Sequence, residues 1–213
     1  MAYIGTPLLY LVIGYLVTSL MTMEYIGGIV NAVGLVSGPS ASSGEKEELV
    51  SISDITGGVL DGDDVHFPSF GDNLGNFTMT GEDGNYIECP IYFGDDADQL
   101  KNGVGVYFGS SPPGFGSTVL VAGHNHTWFK PLRNAAVGDT VTISTYYGVY
   151  VYKITDIAVK KTNDDTHYDL LADSENLVMY TCYPFGSIGI TPERYFVYGE
   201  YVSGPMINTG VSK

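Results

Sequence analysis

Three residues that together can perform acyl transfer stand at the ends of short apolar runs. An apolar run at residues 177–180 leads through Thr181 to Cys182, and His124 follows the run at residues 119–123. Arg194 heads a third such run. A thiolate can attack a carbonyl, an imidazole can carry the proton, and a guanidinium can stabilise the oxyanion that forms. The three positions therefore favour a cysteine enzyme that works through an acyl intermediate.

The other cysteine has different surroundings. Ile87, Cys89 and Ile91 alternate along the chain and so share one face of a strand. This pattern indicates that Cys89 is a small core residue. A Cys89–Cys182 disulfide is the alternative, but one bridge is a weak scaffold for a domain of this size, and it would consume the nucleophile. We expect two free thiols.

The other histidines are weaker candidates than His124. His126 alternates with His124, so in an extended segment both rings point the same way, and His126 is the alternative general acid. The strand end after Gly123 favours His124. His66 and His167 lie in acidic loops, where we expect them to be solvated. The histidines and aspartates have no spacing that fits a zinc site, and we expect no cofactor.

Short strands are the elements that must position these residues. From about residue 75 onward, apolar and polar residues alternate between glycine- and proline-containing turns. The 28 glycines, and the 17 tyrosines against one tryptophan, also suit short strands with tight turns. Residues 138–144 and 149–154 flank a turn at Gly148, as in a hairpin. About eight strands of this kind predict an all-β barrel or sandwich.

Length and charge limit the possible partners. A chain of 213 residues can bury one sizeable core, and a second full domain is not expected. The net charge of −15 argues against nucleic acid, because phosphates require a basic face. It also argues against adhesion of the domain to an anionic membrane surface.

One acidic cluster could bind a metal. Asp61, Asp63 and Asp64 could supply the oxygen ligands that calcium prefers. Their spacing fits no complete calcium loop, however, and a solvated turn is the simpler interpretation. We therefore assign no metal site.

The N-terminal region differs from the rest of the chain. Residues 8–23 are uncharged and mostly apolar, and the apolar character resumes after Glu24. We interpret this segment as an uncleaved transmembrane anchor. A cleaved signal peptide is the alternative, but its basic region is missing, since the first cation is Lys46. The polar segment that follows is a linker. The predicted division is an anchor at 1–36, a linker at 37–58 and a catalytic domain at 59–213.

Ala122-Gly123-His124, Thr181-Cys182 and Arg194 together resemble the sortase family. The resemblance extends over residues 75–202. The flanking motifs that carry it are Pro90-Ile91-Tyr92-Phe93-Gly94, Gly103-Val104-Gly105, Phe129-Lys130-Pro131-Leu132 and Val137-Gly138-Asp139. The segments that are similar to the class D subgroup are Tyr183-Pro184-Phe185 and Thr191-Pro192-Glu193-Arg194-Tyr195.

The resemblance implies a closed eight-stranded antiparallel β-barrel with short helices, whose groove ends in the three residues. In this arrangement Cys182 is the nucleophile, and His124 protonates the leaving amine. Arg194 is a permanent donor to the oxyanion or to the substrate backbone. Thr181 is expected near the scissile carbonyl, and Tyr180 and Tyr183 are the further candidates for substrate binding.

The resemblance also implies the partners of such an enzyme. They are a C-terminal sorting signal such as Leu-Pro-x-Thr-Gly on a secreted protein, and an amine of a cell-wall precursor or a pilin. We expect a single-pass membrane protein with its catalytic domain outside the cell. Two alternatives remain open. One is a Cys-His protease whose thioester is hydrolysed, and the other is a non-catalytic, membrane-tethered β-domain.

Overall fold

The structure is a computed structural model, and it describes residues 58–162, 166–187, 189–208 and 210. The predicted anchor lies outside the described residues, and so does the predicted linker except for Gly58, which begins the first strand. Within these ranges, no helix combines the length and the apolar character needed to cross a membrane.

The described chain consists almost entirely of strands. The strands are β1 (Gly58–Asp61), β2 (Asn73–Gly81), β3 (Gly84–Phe93), β4 (Val104–Val106), β5 (Thr118–Ala122), β6 (Thr140–Thr145), β7 (Gly148–Lys161), β8 (Asn176–Tyr183), β9 (Glu193–Ser203) and β10 (Pro205–Asn208). A six-residue helix, α1 (Ala97–Asn102), precedes β4, and a 3-10 turn (Pro131–Asn134) precedes β6. The all-β prediction with short helices is confirmed.

Eight strands close into a barrel in the order β2-β3-β4-β5-β8-β9-β7-β6. The predicted hairpin is present, because β6 pairs with β7 across Thr145 and Gly148. The expectation of a wholly antiparallel barrel is wrong, because β3 runs parallel to β4 and β5 runs parallel to β8. In each parallel pair the connecting segment returns the chain to the end of the barrel at which the first strand began. β1 and β10 form a separate parallel pair.

Side-chain alternation in β8 separates the inside of the barrel from its outside. Leu177 and Met179 are fully buried in the main core, together with aromatic residues such as Phe77 and Tyr152. The alternate positions of β8 point outward, because successive side chains of a strand lie on opposite faces. Each fully buried side chain of this size contributes roughly 1.5–3 kcal/mol through removal from water, so the interior set fixes which face of β8 points outward.

A smaller apolar cluster covers part of the outside of the same wall. Leu120, Val178 and Phe196, from three adjacent strands, are at most 3% exposed. Tyr168 and Leu170, from the segment between β7 and β8, pack on them. This wall is therefore apolar on both faces, and its outer face forms the floor on which the site described below is built.

A buried carboxylate ties the segment before β5 to the barrel. Glu175 accepts hydrogen bonds from the backbone N–H groups of Gly114 (2.8 Å) and Gly116 (3.1 Å) and from the Tyr152 hydroxyl (2.6 Å). Burial raises the pKa of Glu175, and these three donors act in the opposite direction. The carboxylate thus replaces backbone partners for a loop that a strand ladder does not satisfy.

We expect Glu175→Ala to lower the free energy of unfolding by roughly 2–3 kcal/mol, because it leaves three donors without their acceptor. Tyr152→Phe removes only one of these bonds and should cost about 1 kcal/mol. Urea denaturation of both variants measures the two losses. An equal, small loss in both would contradict the role assigned to the carboxylate.

Candidate active site

The parallel pairing of β5 and β8 brings the histidine and the cysteine to the same end of the barrel. The register pairs Ala122 with Tyr180, so the same register carried two residues further sets His124 level with Cys182. The Thr181 hydroxyl donates a hydrogen bond of 2.6 Å to the Gly123 carbonyl. This bond fixes the two strand ends to each other just beyond the last pair of the ladder.

Strand β9 adds the arginine from the other side of β8. Cys182 and Arg194 are directly opposed in the antiparallel register. Side chains in such a pair share one face, with Cβ atoms about 4.5–5.5 Å apart. Three adjacent strands, β5, β8 and β9, therefore deliver the imidazole, the thiol and the guanidinium to one edge of the outer floor. Cys182 is partly exposed, which is what a nucleophile that must reach a substrate requires.

A threonine that the sequence analysis did not select holds the guanidinium. One Arg194 Nη atom donates to the carbonyl and the hydroxyl of Thr191, each at 2.9 Å, and to the Glu193 carbonyl at 3.0 Å. Thr191 is itself buried. The charge of Arg194 also reaches the Tyr180 ring, where it acts to lower the pKa of the phenol against the dominant effect of burial. The guanidinium is thus fixed beside the outer floor.

The imidazole of His124 lies beside a second imidazole. The rings of His124 and His126 stack with their centroids 5.1 Å apart and their planes 26° from parallel. Burial lowers the pKa of His124, and the neighbouring His126 lowers it further. His124 therefore gives up its proton more readily than an ordinary histidine.

Asn125 is a second residue that the sequence analysis did not select. Its side chain is 3% exposed, and its Nδ2 donates to the Pro184 carbonyl (3.2 Å) and the Ser187 hydroxyl (3.3 Å). Its Oδ1 lies 3.3 Å from Nδ1 of His126. Asn125 therefore connects the histidine segment to the turn that follows Cys182. Its only sequence signal was a small polar residue between two histidines.

The three candidates for substrate binding do not share a face. Tyr180 lies on the same face of β8 as Cys182 and forms part of the outer floor, where it stacks on Phe196 with ring centroids 5.8 Å apart. Thr181 is 1% exposed, and its hydroxyl is engaged by Gly123. The structure therefore gives Thr181 a role in holding the strands together rather than a place near a scissile carbonyl.

Tyr183 also lies on the face opposite to Cys182, because it alternates with the nucleophile. Its ring stacks on Tyr195 at 6.3 Å and meets the edge of Phe185 at 6.1 Å. Arg133 lies 5.3 Å from the centre of the Phe185 ring. Tyr183 thus belongs to an aromatic cluster on the other face of β8, and the structure does not bring it to the face that carries Cys182.

The remaining candidates lie apart from the site. Cys89 is 3% exposed inside the barrel, and burial raises the pKa of its thiol to about 12. Both cysteines are free thiols. Asp61 accepts a hydrogen bond from the backbone N–H of Asp63 at 3.2 Å, so this part of the acidic cluster forms a turn. Among the described residues, no three His, Cys, Asp or Glu side chains are grouped as metal ligands.

Each comparison with known proteins finds the same family. The family model described as the sortase domain matches residues 82–202, more than half of the chain. The chain is 34% identical over 116 residues to Sortase D of Bacillus subtilis (strain 168), an alignment that covers 54% of this chain and 59% of that protein. The chain thus matches somewhat more than half the length of this curated relative.

Two solved structures of another sortase are similar in fold. Sortase C from Clostridium perfringens SM101 has a TM-score of 0.54 and 29% identity, covering 63% of this chain and 72% of that chain. Clostridium perfringens sortase C with the C-terminal cell wall sorting motif has a TM-score of 0.53 and 30% identity, with the same coverage.

We expect His126→Gln to raise the pKa of His124. The electrostatic effect of His126 lowers the pKa of His124, so its removal favours the imidazolium form of His124. The NMR titration of the His124 ring protons should shift to higher pH, and the limb of the pH–rate profile that requires protonated His124 should move in the same direction. His66→Gln is the matched control and should leave both unchanged. An unaltered His124 titration in His126→Gln would contradict the proposed interaction.

Proposed function

The chain belongs to the sortase family, whose members are cysteine transpeptidases, and from that premise we propose that it transfers peptide acyl groups through a thioester on Cys182. The observation that carries the proposal is the meeting of three strand ends. Cys182 is the cross-strand neighbour of Arg194, and the Thr181–Gly123 hydrogen bond holds the His124 segment beside it.

We propose a C-terminal sorting signal of the Leu-Pro-x-Thr-Gly type as the acyl donor. A similar solved structure is that of Clostridium perfringens sortase C with the C-terminal cell wall sorting motif, which supports this substrate class. An extended peptide on the outer floor would follow β8 past Tyr180 and present the Thr carbonyl to Cys182. The acceptor is an amine of a cell-wall precursor or a pilin.

The first half-reaction breaks the Thr–Gly peptide bond. The thiolate of Cys182 attacks the Thr carbonyl carbon, and Arg194 donates hydrogen bonds to the oxyanion or to the neighbouring substrate carbonyl. As the C–N bond breaks, His124 gives its proton to the leaving amine. The lowered pKa of His124 makes this transfer easier. The product is a thioester between Cys182 and the substrate Thr.

The second half-reaction reverses the roles of the same groups. The acceptor amine attacks the thioester carbonyl and loses a proton to the neutral imidazole of His124. The C–S bond then breaks, and the thiolate of Cys182 is regenerated. Arg194 serves both steps without changing its protonation, since a guanidinium remains charged throughout the accessible pH range. Asn125 ties the segment that carries His124 to the turn after Cys182, and Thr191 holds the Arg194 guanidinium in place.

Mass spectrometry of the protein incubated with a panel of sorting-signal peptides tests the acyl-enzyme. We expect an adduct on Cys182 and its complete loss in Cys182→Ala. The matched control is Cys89→Ala, which should still form the adduct because the Cys89 thiol is buried and its pKa is raised to about 12. An adduct on Cys89, or an inactive Cys89→Ala that is still folded, would overturn the assignment.

The same experiment separates the alternatives. An added amine should divert the product from the free acid to the amide if the enzyme is a transpeptidase. A Cys-His protease would release the free acid whether or not the amine is present. A non-catalytic β-domain would form no adduct with any peptide, and its Cys182 would stay open to thiol labelling after the incubation.

We expect Arg194→Lys to lower kcat/KM roughly 10²-fold, the scale of losing one oxyanion donor. Lys keeps the charge but lacks the planar fork of the guanidinium. In Arg194, Thr191 holds one nitrogen of this fork, which leaves the other N–H groups of the guanidinium to donate to the substrate. Steady-state kinetics with one peptide measures the loss, and circular dichroism shows whether the variant folds. Arg133→Lys is the matched control, because Arg133 lies against the Phe185 ring and away from Cys182. This variant should retain the wild-type rate. Near-normal turnover in Arg194→Lys would remove Arg194 from the mechanism.

A further inference from the structure

One acidic side chain lies beside the outer floor and has no role in the mechanism above. Asp95 follows Gly94, whose backbone N–H donates to the Val106 carbonyl at 2.8 Å at the end of β3. A Cβ atom placed on Gly105 would lie 3.1 Å from the Asp95 Cα. Gly105 pairs with Ala122, and Ala122 pairs with Tyr180. Asp95 therefore lies across β4 and β5 from Tyr180, at the same level of the barrel.

The groups around the Asp95 carboxylate leave its charge uncompensated. Burial raises the pKa of Asp95 most, and the neighbouring Asp96 raises it further, whereas its own backbone, the Tyr180 side chain and the backbone of Phe108 act in the opposite direction. Within the described part of the chain, none of the groups that act on the Asp95 carboxylate is a cation. Arg194 acts on Tyr180 from the β9 side of the floor. A half-buried carboxylate without a cationic partner gains most from a ligand that supplies one.

The chemistry determines which part of a substrate reaches Asp95. A transpeptidase must hold the acyl half of its substrate through both steps, while the leaving amine departs and the acceptor enters. The acyl half therefore occupies the floor that precedes Cys182 on β8. One strand residue spans about 3.3 Å, so a peptide with its Thr carbonyl at Cys182 places the residue before that Thr between the levels of Cys182 and Tyr180, from where a long side chain can extend toward Asp95.

We propose that Asp95 selects substrates that carry Lys or Arg at the variable position x of Leu-Pro-x-Thr-Gly. This inference rests on the proposed function. The proline at the preceding position has an apolar side chain, so x is the residue whose side-chain charge can be recognised. A Lys or Arg stem can lie along the aromatic face of Tyr180 while its charged end meets the carboxylate. An acidic x would place two like charges together.

Three peptides that differ only at x, with Lys, Gln or Glu, test the proposal on the full-length protein. We expect kcat/KM to fall in the order Lys, Gln, Glu, with Lys exceeding Glu about tenfold or more. Asp95→Asn keeps the shape of the side chain but removes the charge, so the Lys-to-Glu ratio should fall close to one. Asp98→Asn is the matched control. Asp98 is an exposed acid in the first turn of α1, and its variant should retain the wild-type ratio.

Every other outcome overturns the proposal. A wild-type Lys-to-Glu ratio near one excludes the selection, whether or not Asp95→Asn folds. An undiminished ratio in Asp95→Asn assigns the preference to another group. A changed KM for the amine, with the peptide ratio unchanged, assigns Asp95 to the acceptor. Cleavage of none of the three peptides would overturn the proposed function, and this inference with it, whereas equal cleavage of all three would overturn this inference alone.

Discussion

The parallel pairing of β5 with β8 is the constraint on which the site depends. Two strands that run in the same direction end at the same edge of the barrel, so residues that follow them in sequence meet in space. The two strand ends that bear His124 and Cys182 are 58 residues apart in the chain, and the Thr181–Gly123 hydrogen bond joins them at the point where the ladder stops. An antiparallel partner for β8 in place of β5 would have carried the histidine to the opposite end of the barrel. The exception to antiparallel topology is therefore what creates the site.

Local sequence predicted the strands well because their alternation and their turn residues are local signals. Strand direction is not a local signal. The segment between β3 and β4 contains only the six-residue helix α1. It therefore lacks the long helical pattern that usually connects two parallel strands and makes such a connection recognisable in sequence. The connection from β5 to β8 passes through two intervening strands and leaves no contiguous mark in the sequence. The motif around His124, Cys182 and Arg194 predicted that the three residues meet, and the register shows which strand pairs bring them together.

The face of each β8 residue was harder to predict for a different reason. In a strand with one solvent-exposed face, apolar residues alternate with polar ones, and this alternation shows which side chains point into the core. Here Leu177 faces the main core and Val178 is covered by the segment that carries Tyr168 and Leu170, so both faces are apolar. Thr181 and Tyr183 therefore looked as suitable for substrate contact as Tyr180 did. Asn125 and Thr191 were missed because their partners lie on other loops, and a hydrogen bond between loops leaves no periodic pattern.

The electrostatics of the site divide two tasks between two kinds of residue. The chain carries a net charge of −15, so a cation near the nucleophile must be held there by specific contacts rather than by the general field of the protein. Arg194 supplies that charge permanently, and Thr191 fixes its direction. His124 has a lowered pKa through burial and His126, and in the proposed mechanism this lets it release its proton to the leaving amine and later receive one from the acceptor. A histidine that also had to supply the fixed charge would be too strongly protonated to accept that second proton. In the proposed mechanism, the separation of the fixed charge from the mobile proton thus allows one site to serve both half-reactions.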